Sequence, residues 1–164
     1  MRLVLRNVLF TLVVPAAGGV YAPWWILTRD GSAPTIAAWP AAIVIVSGAA
    51  LYVACLCNFA TLGRGTPGLW DAPRRLVAAG PYAWVRNPIY IAALLIVIGE
   101  AWLFLSLPLL MYAGALGAGF HLLVVGYEEP TLRHRFDSEY DEYRSRVARW
   151  IPLPPRPAAF PHKR

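Results

Sequence analysis

Charge is scarce in this sequence. Of its 164 residues only 15% are Asp, Glu, Lys or Arg. Residues 36–62 carry no charge, and residues 87–127 carry only Glu100. Cysteine is scarcer still. Cys55 and Cys57 stand two helix positions apart, point to nearly opposite faces and cannot bridge each other, so they read as packing residues and leave the redox compartment open. Three histidines and these two cysteines lack the spacing of a metal site. No Ser-His-Asp or Cys-His arrangement stands out either.

What fills the space is apolar. Hydrophobic residues make up 58% of the chain and its mean hydropathy is +0.49, above a soluble globular average. About 20 apolar residues cross the hydrocarbon core as a helix. Four stretches qualify, at roughly 3–28, 36–62, 88–106 and 107–126. The first is too long for a signal peptide and no small-residue cleavage site closes it. The expectation is an all-α membrane protein of about four transmembrane helices, organised as a single domain over residues 1–164.

The few charges are unevenly placed. The net charge is +6. Arg2 and Arg6 precede the first span, and Arg64, Arg74, Arg75 and Arg86 fill the loop between spans two and three. Eight more basic residues, from Arg133 to Arg164, follow span four. The alternate loops hold only Arg29, balanced by Asp30, and an uncharged turn near Ser106–Pro108. Basic residues collect on the cytoplasmic side, so both termini and the 63–87 loop are expected there. That placement accounts for the positive charge as topology plus attraction to anionic lipid, and no nucleic-acid partner is expected.

Within the spans, Pro15, Gly18 and Gly19 predict a kink in the first, and Ala41, Ala42, Gly48, Ala49 and Ala50 predict close helix contact in the second. Trp24, Trp25, Trp39, Trp70 and Trp84 fall near the interfaces. The loop contains Gly63-Arg64-Gly65-Thr66-Pro67-Gly68, a G-x-G-x-x-G by letter. It follows a membrane helix and holds a proline, so the dinucleotide reading is rejected in favour of a surface turn.

After span four the pattern changes. Leu132, Phe136, Tyr140, Tyr143, Val147 and Ile151 recur every three or four residues among charged neighbours. This predicts a cytoplasmic amphipathic helix over about 129–149, lying on the bilayer or the bundle. Pro130 suits its first turn, and Pro152, Pro154 and Pro155 end it. The break from span four is expected at Glu128-Glu129, and residues 157–164 form a loose tail.

Two places invite chemistry. Glu128 and Glu129 form a membrane-proximal acidic pair on a basic face. Two solvated helix caps, or a site for an ammonium or sulfonium group, both fit that position. The second is Gly80-Pro81-Tyr82-Ala83-Trp84-Val85-Arg86-Asn87-Pro88-Ile89-Tyr90, where two prolines and a glycine fix an irregular backbone beside three aromatic rings. Such a segment offers peptide groups and aromatic faces to a ligand, or simply an interfacial belt and a helix start. Glu100 and His121 lie at different depths and are not paired; His121 can line a pocket or pack as a hydrogen-bonded histidine.

From about Gly63 to Pro152 the chain resembles the integral-membrane methyltransferases that include isoprenylcysteine carboxyl methyltransferases and phospholipid N-methyltransferases. Leu76-Val77, Gly80-Pro81-Tyr82 and Arg86-Asn87-Pro88-Ile89-Tyr90 are similar to that family's L-V…G-x-Y…R-H-P-x-Y. Glu128-Glu129, Leu132, Phe136, Tyr140, Tyr143, Val147 and Pro152 are similar to its E-E-x-x-L-x-x-x-F-G-x-x-Y-x-x-Y…V…P. The resemblance implies an S-adenosylmethionine pocket on the cytoplasmic side, with S-adenosylhomocysteine as product. Arg74, Leu76, Val77, Tyr82, Asn87, Pro88 and Tyr90 would surround the cofactor, and Glu128 would hold its amino-acid end. Glu129 and His121 are the available bases, and the acceptor is a lipid or hydrophobic small molecule entering between spans. The implied location is an integral one in a bacterial or archaeal inner membrane, with no metal.

Three positions depart from the pattern. Asn87 stands where the family has histidine and cannot titrate. Asp137 replaces the glycine after Phe136. Val124 stands where isoprenylcysteine enzymes place a substrate-contacting arginine, which argues against a prenylcysteine acceptor. Two other classes compete: a non-catalytic scaffold or sensor that keeps the fold, and a sterol-type reductase, disfavoured by the short chain and the missing dinucleotide signature.

Overall fold

The computed structural model describes residues 16–34, 38–63 and 76–154. Among them every regular element is helical, with no strand. A π turn, Ala17–Tyr21, leads into α1, Ala22–Asp30. Helix α2 runs Trp39–Asn58 and is extended by a π turn, Phe59–Gly63. After a 3-10 turn at Gly80–Ala83 come α3, Pro88–Phe104, and α4, Leu107–Leu123. A third π turn, Val124–Glu128, passes directly into α5, Glu129–Arg146.

Small residues set the closest packing. Helices α2 and α3 run antiparallel and meet where neither backbone carries bulk. A Cβ added at Gly48 would lie 2.8 Å from the Ala92 carbonyl oxygen, and one at Gly99 would lie 2.6 Å from Ile45 Cγ1. In lipid, where apolar burial drives helices together weakly, such approach is what makes the contact. Toward the α3–α4 turn, Val97, Ala101, Leu109 and Ala113 form a core on which Ile26, Leu27, Tyr112 and Leu116 pack. Leu105 adopts φ 47° to close α3, and Ser106 Oγ caps α4 at the Leu109 amide. The same hydroxyl donates to Asp30 Oδ2 at 2.7 Å, tying the end of α1 to the α3–α4 turn.

The four expected spans are revised to two clear ones. Trp39–Thr61 and the continuous helix Leu107–Arg146 are long and apolar enough to cross a membrane. Only 17% of the apolar window of each is buried inside the protein, so neither is the core helix of a soluble domain. Trp39, Ile43, Val46, Met111 and Leu122 accordingly face outward. Helix α3 is apolar but has 17 residues, about 25 Å at the α-helical rise, short of a typical hydrocarbon core. Of the first expected span, residues 3–15 lie outside the described residues, as do Arg64 to Arg75 and the tail.

The C-terminal element is also revised. No break occurs at Glu128-Glu129, because the π turn carries the helix through both residues. The bend falls at Asp137, whose backbone stands at φ 43°, ψ −119°. The helix stops at Arg146 because Val147 turns extended, at φ −115°, ψ 127°. Tyr140, Tyr143 and Val147 are buried, with Leu76, Leu132 and Phe136 packed on them, so the expected stripe faces protein. Ile151, beyond the helix, is 66% exposed.

Candidate functional site

Two chain segments meet at the Asn58 and Pro88 ends of the α2–α3 pair. The first is 76–90. Gly80 takes φ 59°, and a Cβ there would fall 2.7 Å from the Asn58 side chain, so the turn sits directly on the end of α2. Pro81 then starts the 3-10 turn that buries Tyr82, edge-on to Phe59 at 5.4 Å between centroids. The second is the stretch that follows α5. It runs alongside the first, with the Arg86 amide donating to the Ala148 carbonyl at 2.9 Å and the Leu153 amide to the Trp84 carbonyl at 3.1 Å. Asn87 Nδ2 donates to the Arg149 carbonyl at 3.1 Å, and Tyr143 Oη donates to the Tyr82 carbonyl at 2.7 Å.

These pairings hold open a cavity of about 90 Å³ between α2, α3 and the α4–α5 helix. Leu76, Val77, Tyr82, Asn87, Tyr90 and Glu128 all line it, together with Arg86, Leu132 and Tyr143. The Tyr90 hydroxyl donates to Glu128 Oε1, and the Tyr90 ring lies on Phe120 at 4.5 Å. A second, more open cavity of about 320 Å³ shares Leu76 and Tyr143 with the first and adds Ala78, Ala83, Glu139 and Glu142.

The remaining candidates lie elsewhere. Pro88 is buried at the start of α3 but does not line the cavity. Arg74 lies outside the described residues. Glu129 turns away from the cavity: its two carboxylate oxygens accept from Arg149 Nε at 2.6 Å and Nη2 at 2.9 Å, and Arg86 Nη1 stands 3.0 Å from Oε1. It borders a third, open groove with Arg133, His134 and Arg144. His121 accepts a hydrogen bond from Trp150 Nε1 at 3.2 Å and does not reach the cavity either. Among the described residues no group of His, Cys, Asp or Glu has the makings of a metal site.

The two glutamates, both past the apolar part of the helix, differ electrostatically. Burial pushes the Glu128 carboxyl above its usual range; the Tyr90 hydrogen bond opposes this and neighbouring Glu129 adds to it. Burial also raises Glu129, but the Arg149 hydrogen bonds and the Arg86 and Arg149 charges together outweigh it and hold that carboxyl low.

Arg86, counted among the topology charges and quoted within the motif, was given no role of its own at the site by sequence reasoning. Its signal was its place between Trp84 and Asn87 in the aromatic segment. Arg149, counted with the basic tail, is likewise the main partner of Glu129.

Comparison with known proteins adds one finding. The sequence profile of the phospholipid methyltransferase family matches residues 41–139, more than half of the chain. No curated protein and no solved structure matches it.

Proposed function

This chain belongs to the phospholipid methyltransferase family, and on that premise we propose that it moves a methyl group from S-adenosylmethionine to a lipidic or hydrophobic acceptor at the cytoplasmic membrane face. The observation that carries the reading is the convergence on one cavity of Asn87 and Tyr90, from the start of α3, with Glu128 from the π turn after α4. The donor set suits the cofactor: a carboxylate for its ammonium group, an amide, aromatic faces, and a neighbouring cavity with room for the nucleoside.

When bound, S-adenosylmethionine supplies a methyl carbon on a positively charged sulfur. The protein's part is to orient and to exclude water. Tyr90 fixes the Glu128 carboxylate, and the Tyr82 and Leu132 side chains wall the cavity. Glu129 is committed to two guanidinium groups and His121 to Trp150, so neither is free to act as a base at the cavity. With no free base at the cavity, an amine acceptor would have to arrive neutral to take up the methyl group that the cofactor would supply. Val124, 1% exposed, offers no cation to a prenylcysteine carboxylate, which favours an amine-bearing lipid. The basic residues flanking the spans support the cytoplasmic placement.

The test is calorimetric titration of the detergent-purified protein with S-adenosylhomocysteine, beside Glu128→Ala and Tyr90→Ala. Saturable binding that both variants weaken is the expected result, followed by methyl transfer from labelled cofactor to amine lipids. No binding by folded protein, with or without added lipid, overturns the enzyme reading and leaves a non-catalytic scaffold.

A further inference from the structure

Arg86 is a part-buried cation with unfinished hydrogen bonding. Its side chain is 12% exposed. Nη1 reaches Glu129 at 3.0 Å and Tyr140 Oη at 3.4 Å, whereas Nε is buried with no partner among the described residues. A native structure rarely leaves a buried charged donor unmet, because desolvation is then uncompensated.

The charge count around it points the same way. Glu129 carries one negative charge and faces two guanidinium groups, with Arg149 already bidentate on it. One positive charge is left over. Glu128, which also lines the cavity, has a neutral partner in Tyr90. One negative charge is left over there. Arg86 and Glu128 line the same cavity, and no ion pair joins them among the described residues. A cavity that presents one unneutralised cation and one unneutralised anion is complementary to a zwitterion, which enters a low-dielectric site only if both its charges are met.

Building on the reading above, we propose that Arg86 binds the α-carboxylate of the cofactor's methionyl head while Glu128 takes its α-ammonium. Arg86 is thus a binding residue as well as the link between Glu129 and the cavity. A charge-assisted hydrogen bond of this kind corresponds to about tenfold or more in affinity.

The experiment uses ligand pairs rather than activity. The full-length protein in detergent is titrated with S-adenosylhomocysteine, its decarboxylated analogue and its deaminated analogue. The same titrations follow for Arg86→Gln, Arg86→Lys and Glu128→Gln. In the wild type, removing the carboxylate is expected to weaken binding about tenfold or more. Arg86→Gln should bind the parent ligand as poorly as the wild type binds the decarboxylated one, and lose the distinction between the two. Arg86→Lys should restore part of that distinction. Glu128→Gln should keep it while losing the penalty for deamination. If Arg86→Gln weakens both ligands equally, Arg86 is a brace for Glu129 and the proposal falls. A wild type indifferent to the carboxylate sinks it without any variant. Failure of the wild type to bind S-adenosylhomocysteine at all overturns the methyltransferase reading instead.

Discussion

Glu128 and Glu129 are adjacent in the chain and face different environments. Consecutive helical residues point about 100° apart, and here that turn separates a cavity from an ion-pair cluster. Glu128 receives the Tyr90 hydroxyl, while Glu129 is clasped by Arg149 and approached by Arg86. The clasp joins the segment after α5 to the segment before α3, so Glu129 shapes a cavity it does not line.

Removing that clasp should unsettle the site from a distance. In Glu129→Ala, Arg86 and Arg149 lose their shared carboxylate, and the 12% exposed position keeps water from replacing it fully. A loss of about 2 kcal/mol is expected, between the values for exposed and for fully buried pairs. Thermal unfolding in detergent measures it. A midpoint unchanged within error rejects the bracing role.

Acid sensitivity should divide between the two glutamates with opposite signs. The folded-state pKa of Glu129 is lowered, so its contribution is present above the usual value of 4.5 and is lost as pH falls through the lower folded value. That of Glu128 is raised, so its contribution is present below 4.5 and is lost as pH rises through the higher folded value. Thermal midpoints from acid to neutral pH should show Glu129→Gln flattening the acid limb. Glu128→Gln should gain on the wild type toward neutral pH and lose that advantage in acid. The reverse pattern would mean that the two environments are misassigned.

The sequence made the site legible more readily than its supports. Tyr82, Asn87 and Tyr90 drew notice because glycine, proline and aromatic residues cluster around them, and those residue types fix backbone and offer ligand surfaces. Glu128 drew it as a carboxylate on a basic face, and Leu76 and Val77 only through the resemblance. Arg86 and Arg149 did not, because a cation beside a membrane has a topological explanation and pattern alone cannot say which guanidinium turns inward. The continuous α4–α5 helix escaped notice for a similar reason. A change from apolar to charged residues after Gly126 looks like a boundary, yet a helix crosses it freely when its backbone hydrogen bonds continue as a π turn. Hydropathy also drew the third span too long, since it registers how apolar α3 is but not that its helix ends at Phe104, where Leu105 turns left-handed.

The α2–α3 contact should tolerate no added atom at Gly48. A methyl group there would meet the Ala92 carbonyl oxygen at 2.8 Å, and backbone cannot swing aside as a side chain can. Gly48→Ala should lower stability by about 1–3 kcal/mol through forced separation of the helices. Gly119→Ala is the control, because a Cβ there has nothing within 4 Å. Equal midpoints for the two variants would show that α2 and α3 are not held at this distance in solution.

Asp137 gives the opposite forecast, a substitution that stabilises. Its φ of 43° with ψ of −119° lies where side chains other than glycine crowd the backbone. It is exposed, and the resemblance places glycine at this position. Glycine loses more freedom on folding than aspartate does, which works against the change. Relief of the local strain is the larger effect at such an angle, so Asp137→Gly should gain about 1 kcal/mol. Asp137→Ala, which keeps the Cβ, should not. Thermal unfolding of the two variants beside the wild type decides it. Equal stability of the glycine and alanine variants would mean that the bend between Phe136 and Ser138 is not held at this backbone angle.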